Sequence, residues 1–301
     1  MGVPFGRFEV LELLGRGGMA EVFKARISTG AGAGQLVALK RLLPSLSTDV
    51  DSVDLFTGEA DVSRLLRHPN IVAVLETGLV GEIYYLAMEL VEGNDLSHVL
   101  GQLRAKNVLM PVGFAVFIAR ALLSALAHAH VATGPTGIPL SVVHCDVSPS
   151  NVFVSTAGLV KLGDFGIAKA RLHGDARSSW GKIAYAAPEQ LEGAPLDPRA
   201  DLWSVGVTLY EMLTNRRPFE GATPEDTQRL VVSQTPERVD EVRPIASGLQ
   251  DALDRALERD PKRRFQSAAE FHAALRDLRT GVGVPGTDGA GLARMVAGLR
   301  A

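Results

Sequence analysis

The chain nearly lacks cysteine, with one thiol, Cys145, in 301 residues. That excludes an internal disulfide framework and any cysteine-rich zinc site. It also lacks a basic excess, since 31 Lys+Arg stand against 34 Asp+Glu for a net charge of −3. Such a balance argues against broad nucleic-acid binding. No long uncharged apolar run is present either. The longest apolar stretch, residues 111–132, is interrupted by Arg120 and carries His128 and His130. A membrane span needs about 20 apolar residues with few charges, so this stretch reads as a buried helix. Residues 1–10 alternate polar and apolar instead of forming the apolar core of a signal peptide. These absences describe a soluble, cytoplasmic protein with no direct membrane span, and they set no oligomeric state.

What is present is ample core material. Hydrophobic residues make up 46% and charged residues 22%, close to the globular average. The length suffices for two ordinary domains or one large two-lobed one. The first ninety residues read mainly as strands: residues 5–14, 21–27, 36–42, 71–77 and 82–90. A helix over 51–66 interrupts them and ends before His68-Pro69, because proline disfavours helix in the residue before it. Beyond Gly93 the period changes. Phe114, Phe117, Ile118, Ala121, Leu122, Ala125, Leu126 and Ala129 fall on one helical stripe, and residues after 201 are mostly helical. The predicted organisation is therefore a β-rich lobe over 1–91, a helical lobe over 92–280 and a glycine-rich tail over 281–301. That tail, with six glycines in 21 residues, reads as a linker with one weak helix.

Several residue sets carry chemistry. Gly15-Arg16-Gly17-Gly18-Met19-Ala20 lies between two predicted strands. Glycines at a hairpin tip let backbone amides close over phosphate oxygens, although an ordinary flexible hairpin has the same look. The run at residues 30–34 reads as a plain turn. Lys40 ends Val37-Ala38-Leu39-Lys40, and Glu59 follows on the helix, where it can orient the ammonium toward phosphate. Val143-His144-Cys145-Asp146 leads to Asn151, with Asp164-Phe165-Gly166 thirteen residues further on. Phosphoryl transfer needs a base near the acceptor hydroxyl and oxygen ligands for Mg²⁺. Asp146 suits the first role; Asn151 and Asp164 suit the second. Each alone is an ordinary turn or cap residue; the ordered set is not.

With these motifs in place the chain resembles the eukaryotic-like (Hanks-type) bacterial serine/threonine protein kinases, from about residue 8 to residue 278. His68-Pro69-Asn70-Ile71-Val72, Ala187-Pro188-Glu189, residues 201–206 and Arg264 extend the match. The resemblance implies an α+β, protein-kinase-like bilobal fold: a small β-rich lobe with one main helix, and a larger, mainly helical lobe. It implies a kinase using ATP and Mg²⁺ on protein substrates. Lys40 would bind the α- and β-phosphates, Glu59 would hold Lys40, and Asp146 would accept the substrate proton. Asn151 and Asp164 would hold magnesium, and Gly15 and Gly17 would cover the phosphates. Val22, Ala38 and Phe153 would enclose adenine, with Met88 as gatekeeper. The backbone of Glu89 and Val91 would bond the base, and Asp95 would meet the ribose. Glu189 with Arg264, and Asp201, match structural roles.

Three positions depart from that pattern. Cys145 replaces an arginine that usually meets a phosphorylated loop residue, which puts a phospho-switch at Ser178 or Ser179 in doubt. Ser148 replaces the lysine expected two residues after Asp146. Lys182 stands where threonine usually follows Gly181, in a chain with seven lysines among its 31 basic residues. Lys182 is therefore a candidate replacement for the missing catalytic cation; the plain alternative is a solvent-facing lysine that selects acidic substrates. Two other functions fit less well. A nucleotide-binding pseudokinase gains from the loss at 148 but not from retention of Lys40, Glu59, Asp146, Asn151 and Asp164. A small-molecule phosphotransferase would lack the 187–189 and 201–206 segments. His128 and His130 read as packing residues.

Overall fold

The structure, a computed structural model, describes residues 2–165, 182–278 and 287–299. Ser178, Ser179, Gly166 and Gly181 lie outside the described residues. The chain divides into two compact units, one ending at Glu92 and the other beginning at Gly93.

The first unit is built on a six-stranded antiparallel sheet. It comprises β1 (Val3–Phe5), β2 (Phe8–Arg16), β3 (Ala20–Ile27), β4 (Leu36–Leu42), β5 (Val74–Val80) and β6 (Ile83–Glu89), in the order β1-β2-β3-β4-β6-β5. Alternation along the strands buries Phe8, Val10, Ala25, Ile27, Val37 and Leu39 on one face with Tyr85 and Ala87. Burial and the hydrogen bond to Glu76 push the Tyr85 phenol up to about 12. The strand expected over 5–14 is split in two. Gly6 takes φ +55°, a conformation easy only for glycine, and turns the chain between β1 and β2. β5 also begins three residues later than the expected strand over 71–77. Ile71 donates its N–H to His68 O and closes a turn. Ile71, which makes a lone β-bridge, and Val72 are buried ahead of β5. α1 (Val50–Leu65) is capped by Asp49, whose side chain accepts from Ser52 N.

The second unit is mainly helical. A small sheet of β7 (Gly93–Asp95), β8 (Val152–Ser155) and β9 (Val160–Leu162) accompanies α2 (Leu96–Ala105), α3 (Val112–His130), α4 (Pro188–Leu191) and α5 (Arg199–Thr214). α6 (Pro224–Ser233), α7 (Val239–Val242), α8 (Ser247–Ala256), α9 (Ala268–Arg276) and α10 (Gly289–Leu299) follow. By length and composition α3 qualifies as a membrane span. It is instead the core helix of this unit, packed against α5 and α9, with Ala115, Val116, Ile118 and Leu122 fully covered. Its last turn corrects the reading of His130 as packing. His130 Nε2 lies 2.8 Å from Asp201 Oδ2, because the end of α3 meets the first turn of α5. α10 falls in the glycine-rich tail, yet it buries Leu292 and Val296 and lies against α2.

Arg264 is fully buried and ties this unit together. Its guanidinium makes a bidentate pair with Glu189 at 2.6 and 2.7 Å and also donates to the carbonyls of Glu258, Arg259 and Arg199. It sits 5.1 Å from the centre of the Trp203 ring. A planar fork is needed to serve this many acceptors at once. Arg264→Met strips the donors from a nearly buried carboxylate and should cost roughly 3–5 kcal/mol. Urea unfolding of the purified chain measures it, and Arg264→Lys should recover only part of the loss.

Candidate active site

The catalytic segment of the second unit hangs from Asp201, which is fully buried in the first turn of α5. Its Oδ2 accepts from His144 N and its Oδ1 from Cys145 N, each at 2.8 Å. Two successive amides thus meet one carboxylate, and Cys145 itself adopts φ +61°, a left-handed conformation uncommon outside glycine. Gln190 Nε2 holds the Cys145 carbonyl at 3.0 Å from the other side. The Cys145 side chain is half-buried, as a small packing residue would be.

His144 is fully buried, and its Nδ1 accepts from Asp146 N at 3.2 Å. Its Nε2 faces the Gly163 carbonyl at 3.0 Å. An amide can only donate and a carbonyl only accept, so the ring is the neutral Nε2–H tautomer. The Asn151 amide nitrogen donates to the Asp146 carbonyl at 2.8 Å, so its oxygen is the atom that could ligate a metal. β8 and β9 then run antiparallel, Val152 opposite Leu162, and Gly163 N donates to Asn151 O at 2.9 Å. The hairpin thus returns the chain beside Asn151 immediately before Asp164. Asp164 also has a left-handed backbone, φ +50°. Such outliers concentrate at functional sites. Among the described residues no cluster of three His, Cys, Asp or Glu could hold a metal. Asn151 and Asp164 could offer two oxygen donors to Mg²⁺, an ion that also takes substrate phosphates and water.

Lys182 Nζ lies 2.5 Å from Asp146 Oδ2. The two residues are 36 apart in sequence, and the lysine side chain remains 32% exposed. Ser148 is 2% exposed and its hydroxyl meets that of Ser150 at 3.1 Å. Asp95, expected at a ribose, also caps α2 by accepting from His98 N at 2.8 Å. It pairs across β7 and β8 with Phe153, which is half-buried.

In the first unit Lys40 Nζ and Glu59 Oε1 are 2.7 Å apart, and both side chains are largely covered. β4 carries Lys40 opposite Val22 and Leu86, and Ala38 opposite Met88. Ala38 and Met88 are buried, while Val22 and Val91 are half-buried. Glu89 gives its N–H to Ala73 O at 2.9 Å, so a base can meet its backbone only through the carbonyl. Gly15 lies opposite Val22 at the end of β2, and Gly17 N donates to Ala20 O at 2.8 Å to close the hairpin. A Cβ at Gly15 or Gly18 would meet no atom of the described residues within 4 Å apart from their immediate chain neighbours. Internal packing therefore does not require these glycines, as expected where bare backbone is kept for a ligand.

Sequence reasoning missed the polar braces around this segment. Tyr185 OH donates to Glu211, which also binds Arg104, and burial beside Glu211 raises the tyrosine well above its ordinary range. Gln190 was missed as well. Their partners are between 26 and 107 residues away, beyond any local pattern.

Residues 8–275 match the protein kinase domain family, and the chain belongs to that family. It is 36% identical to the tyrosine-protein kinase MasK of Myxococcus xanthus, over 90% of this chain and 43% of that protein. It is 36% identical to the serine/threonine-protein kinase PknJ of Mycobacterium tuberculosis, covering 96% and 47% of the two chains. With PrkC of Bacillus subtilis, also a serine/threonine-protein kinase, identity is 30% over 90% of this chain and 40% of the other. The chain thus spans less than half the length of these relatives. Among solved structures, the PknI kinase domain of Mycobacterium tuberculosis superposes with a TM-score of 0.68 at 29% identity. That alignment covers 92% of this chain and 97% of the other.

Asp201→Asn tests the suspension of the catalytic segment. An amide offers one acceptor oxygen where two N–H groups now converge, and its NH₂ would face a donor. The variant should lose on the order of 2 kcal/mol, read by thermal unfolding. Phosphotransfer should fall with unchanged nucleotide affinity.

Proposed function

We propose that this chain is the catalytic domain of a cytoplasmic protein kinase that moves the γ-phosphoryl group of Mg-ATP to serine or threonine hydroxyls of protein substrates, itself included. The observation that carries the reading is the gathering of Asp146, Asn151 and Asp164 at one end of the β8–β9 hairpin, with the Asn151 nitrogen already spent on the Asp146 carbonyl. Together with the Lys40–Glu59 pair, these residues supply the parts that phosphoryl transfer needs. A scaffold without activity would have no need to keep all five.

The roles follow from the chemistry of each group. Lys40, held by Glu59, takes the α- and β-phosphate oxygens as a fixed point charge. In the first unit the bare backbone at Gly15 and Gly17 would cover the phosphates and Val22, Ala38 and Met88 would wall the base; Phe153, in the second unit, is assigned to the base by the family resemblance. Glu89 and Val91 offer it backbone polar groups, and Asp95 offers the ribose a carboxylate. Magnesium, when bound at Asn151 and Asp164, neutralises charge on the transferring phosphates. Asp146 orients the acceptor hydroxyl and takes its proton as the oxygen attacks the γ-phosphorus and ADP leaves.

Three measurements test this. Asp146→Asn should lose on the order of 10²-fold or more in phosphotransfer while keeping nucleotide binding; turnover at the original rate would remove Asp146 from the mechanism. Asp164→Asn should weaken ATP binding only when Mg²⁺ is present, since a hard anionic ligand is lost. Phosphoamino-acid analysis of the autophosphorylated chain should give phosphoserine and phosphothreonine. Phosphotyrosine alone would reassign the acceptor.

A further inference from the structure

We propose that Lys182 is a catalytic residue, supplying the positive charge at the transferring phosphate that the catalytic segment itself lacks. The inference rests on the kinase reading above and adds a residue and a segment to it.

From His144 to Asn151 the chain contains no lysine or arginine. Ser148 is enclosed and bonded to Ser150, so it offers neither charge nor a reachable donor. A phosphoryl group in transfer carries dispersed negative charge, and a cation placed in advance is worth most where water is scarce. Lys182 is so placed. One of its three N–H groups meets Asp146 Oδ2 at 2.5 Å. Two donors remain, and the side chain that carries them is 32% exposed beside Asp146. A solvent-facing lysine selecting acidic substrates would have no reason to hold the aspartate that receives the hydroxyl.

The mounting is rigid. Lys182 O accepts from Tyr185 N at 3.0 Å, and Ile183, Ala184 and Tyr185 are buried behind it. Ser204 on α5 donates to Tyr185 O at 2.8 Å, and the Tyr185 hydroxyl is held by Glu211. The same segment grips the catalytic loop a second time, through Gln190 and the Cys145 carbonyl. Two independent contacts therefore fix the distance between Lys182 and Asp146.

In the step itself the acceptor oxygen bonds to the γ-phosphorus and the bond to the β-phosphate oxygen breaks. Asp146 takes the hydroxyl proton, and ADP carries away the bond's electron pair. Lys182 stays protonated throughout, its spare donors bonded to γ-phosphate oxygens.

The test compares steady-state transfer from Mg-ATP to casein by the wild-type chain, Lys182→Thr, Lys182→Arg and Lys182→Thr/Ser148→Lys. Lys182→Thr should lower kcat on the order of 10²-fold, with the KM for ATP changed less than about twofold. Lys182→Arg should restore part of the rate, which a purely packing role would not. The double variant should also recover part, because the two positions would be coupled. Ser148 is tightly enclosed, so the double variant is scored only if its thermal unfolding stays cooperative; the arginine comparison and the kcat–KM split decide without it. An unchanged or increased kcat in Lys182→Thr would overturn the proposal, the increase marking the ion pair as inhibitory. A change confined to KM for the acceptor would also overturn it. A wild-type chain that transfers no phosphate would instead overturn the kinase reading.

Discussion

The site depends on one buried carboxylate. Asp201 receives two consecutive backbone amides from His144 and Cys145. Consecutive N–H groups that converge in a turn form a concavity that suits an anion. The anion comes from the first turn of α5, where the helix dipole also favours negative charge. His144 carries the constraint onward. Its Nδ1 fixes the Asp146 amide while its Nε2–H reaches Gly163, so one ring links Asp146 to the residue preceding Asp164. Chemistry performed by loops thereby inherits the rigidity of a core helix.

Two further braces close the same assembly. Arg264 secures Glu189 and the start of α5 by contacts to side chain and backbone. Tyr185, Glu211 and Arg104 form a line from the segment after Lys182 to α2. Both are ionic and centre on a buried member, Arg264 in one and Glu211 in the other, while Arg104 stays partly exposed. In such surroundings the loss of one member leaves another charged and dry. Their contribution is to geometry as much as to stability.

The parts of this protein legible in the sequence were those where chemistry demands a residue type at a set spacing. Lys40 with Glu59, and Asp146 with Asn151 and Asp164, belong there, and so does the change from period two to helical period near Gly93. Glu189 and Arg264 became legible only through family resemblance, being 75 residues apart. Other features had no local signal. The turn at Gly6 is hidden because one positive φ splits a strand whose alternation continues on both sides. Ile71 and Val72 look like strand residues because both are buried ahead of β5, where Ile71 makes a lone bridge and the continuous ladder starts only at Val74. His130 was read by its position on an apolar helix, but its partner lies 71 residues away. The weak helix expected in the glycine-rich tail is α10, but the burial of its Leu292 and the hold of Asp288 on the Gly291 amide were not legible there.

A charge needed at a point in space need not come from a set position in sequence. Supplying it from residue 182 changes which parts of the protein control it. A lysine at position 148 would be positioned by the catalytic loop alone. One at position 182 is positioned by the buried turn of Ile183 to Tyr185, and hence by Ser204, Glu211 and Arg104 behind it. A free lysine side chain has about 2 kcal/mol of rotamer entropy to lose on being held. The contact with Asp146 holds it before any phosphate arrives, so little reorganisation is left for the transfer step. The braces that look architectural in α2 and α5 thus also set where the cation stands, which makes the outer shell of this site part of its electrostatics.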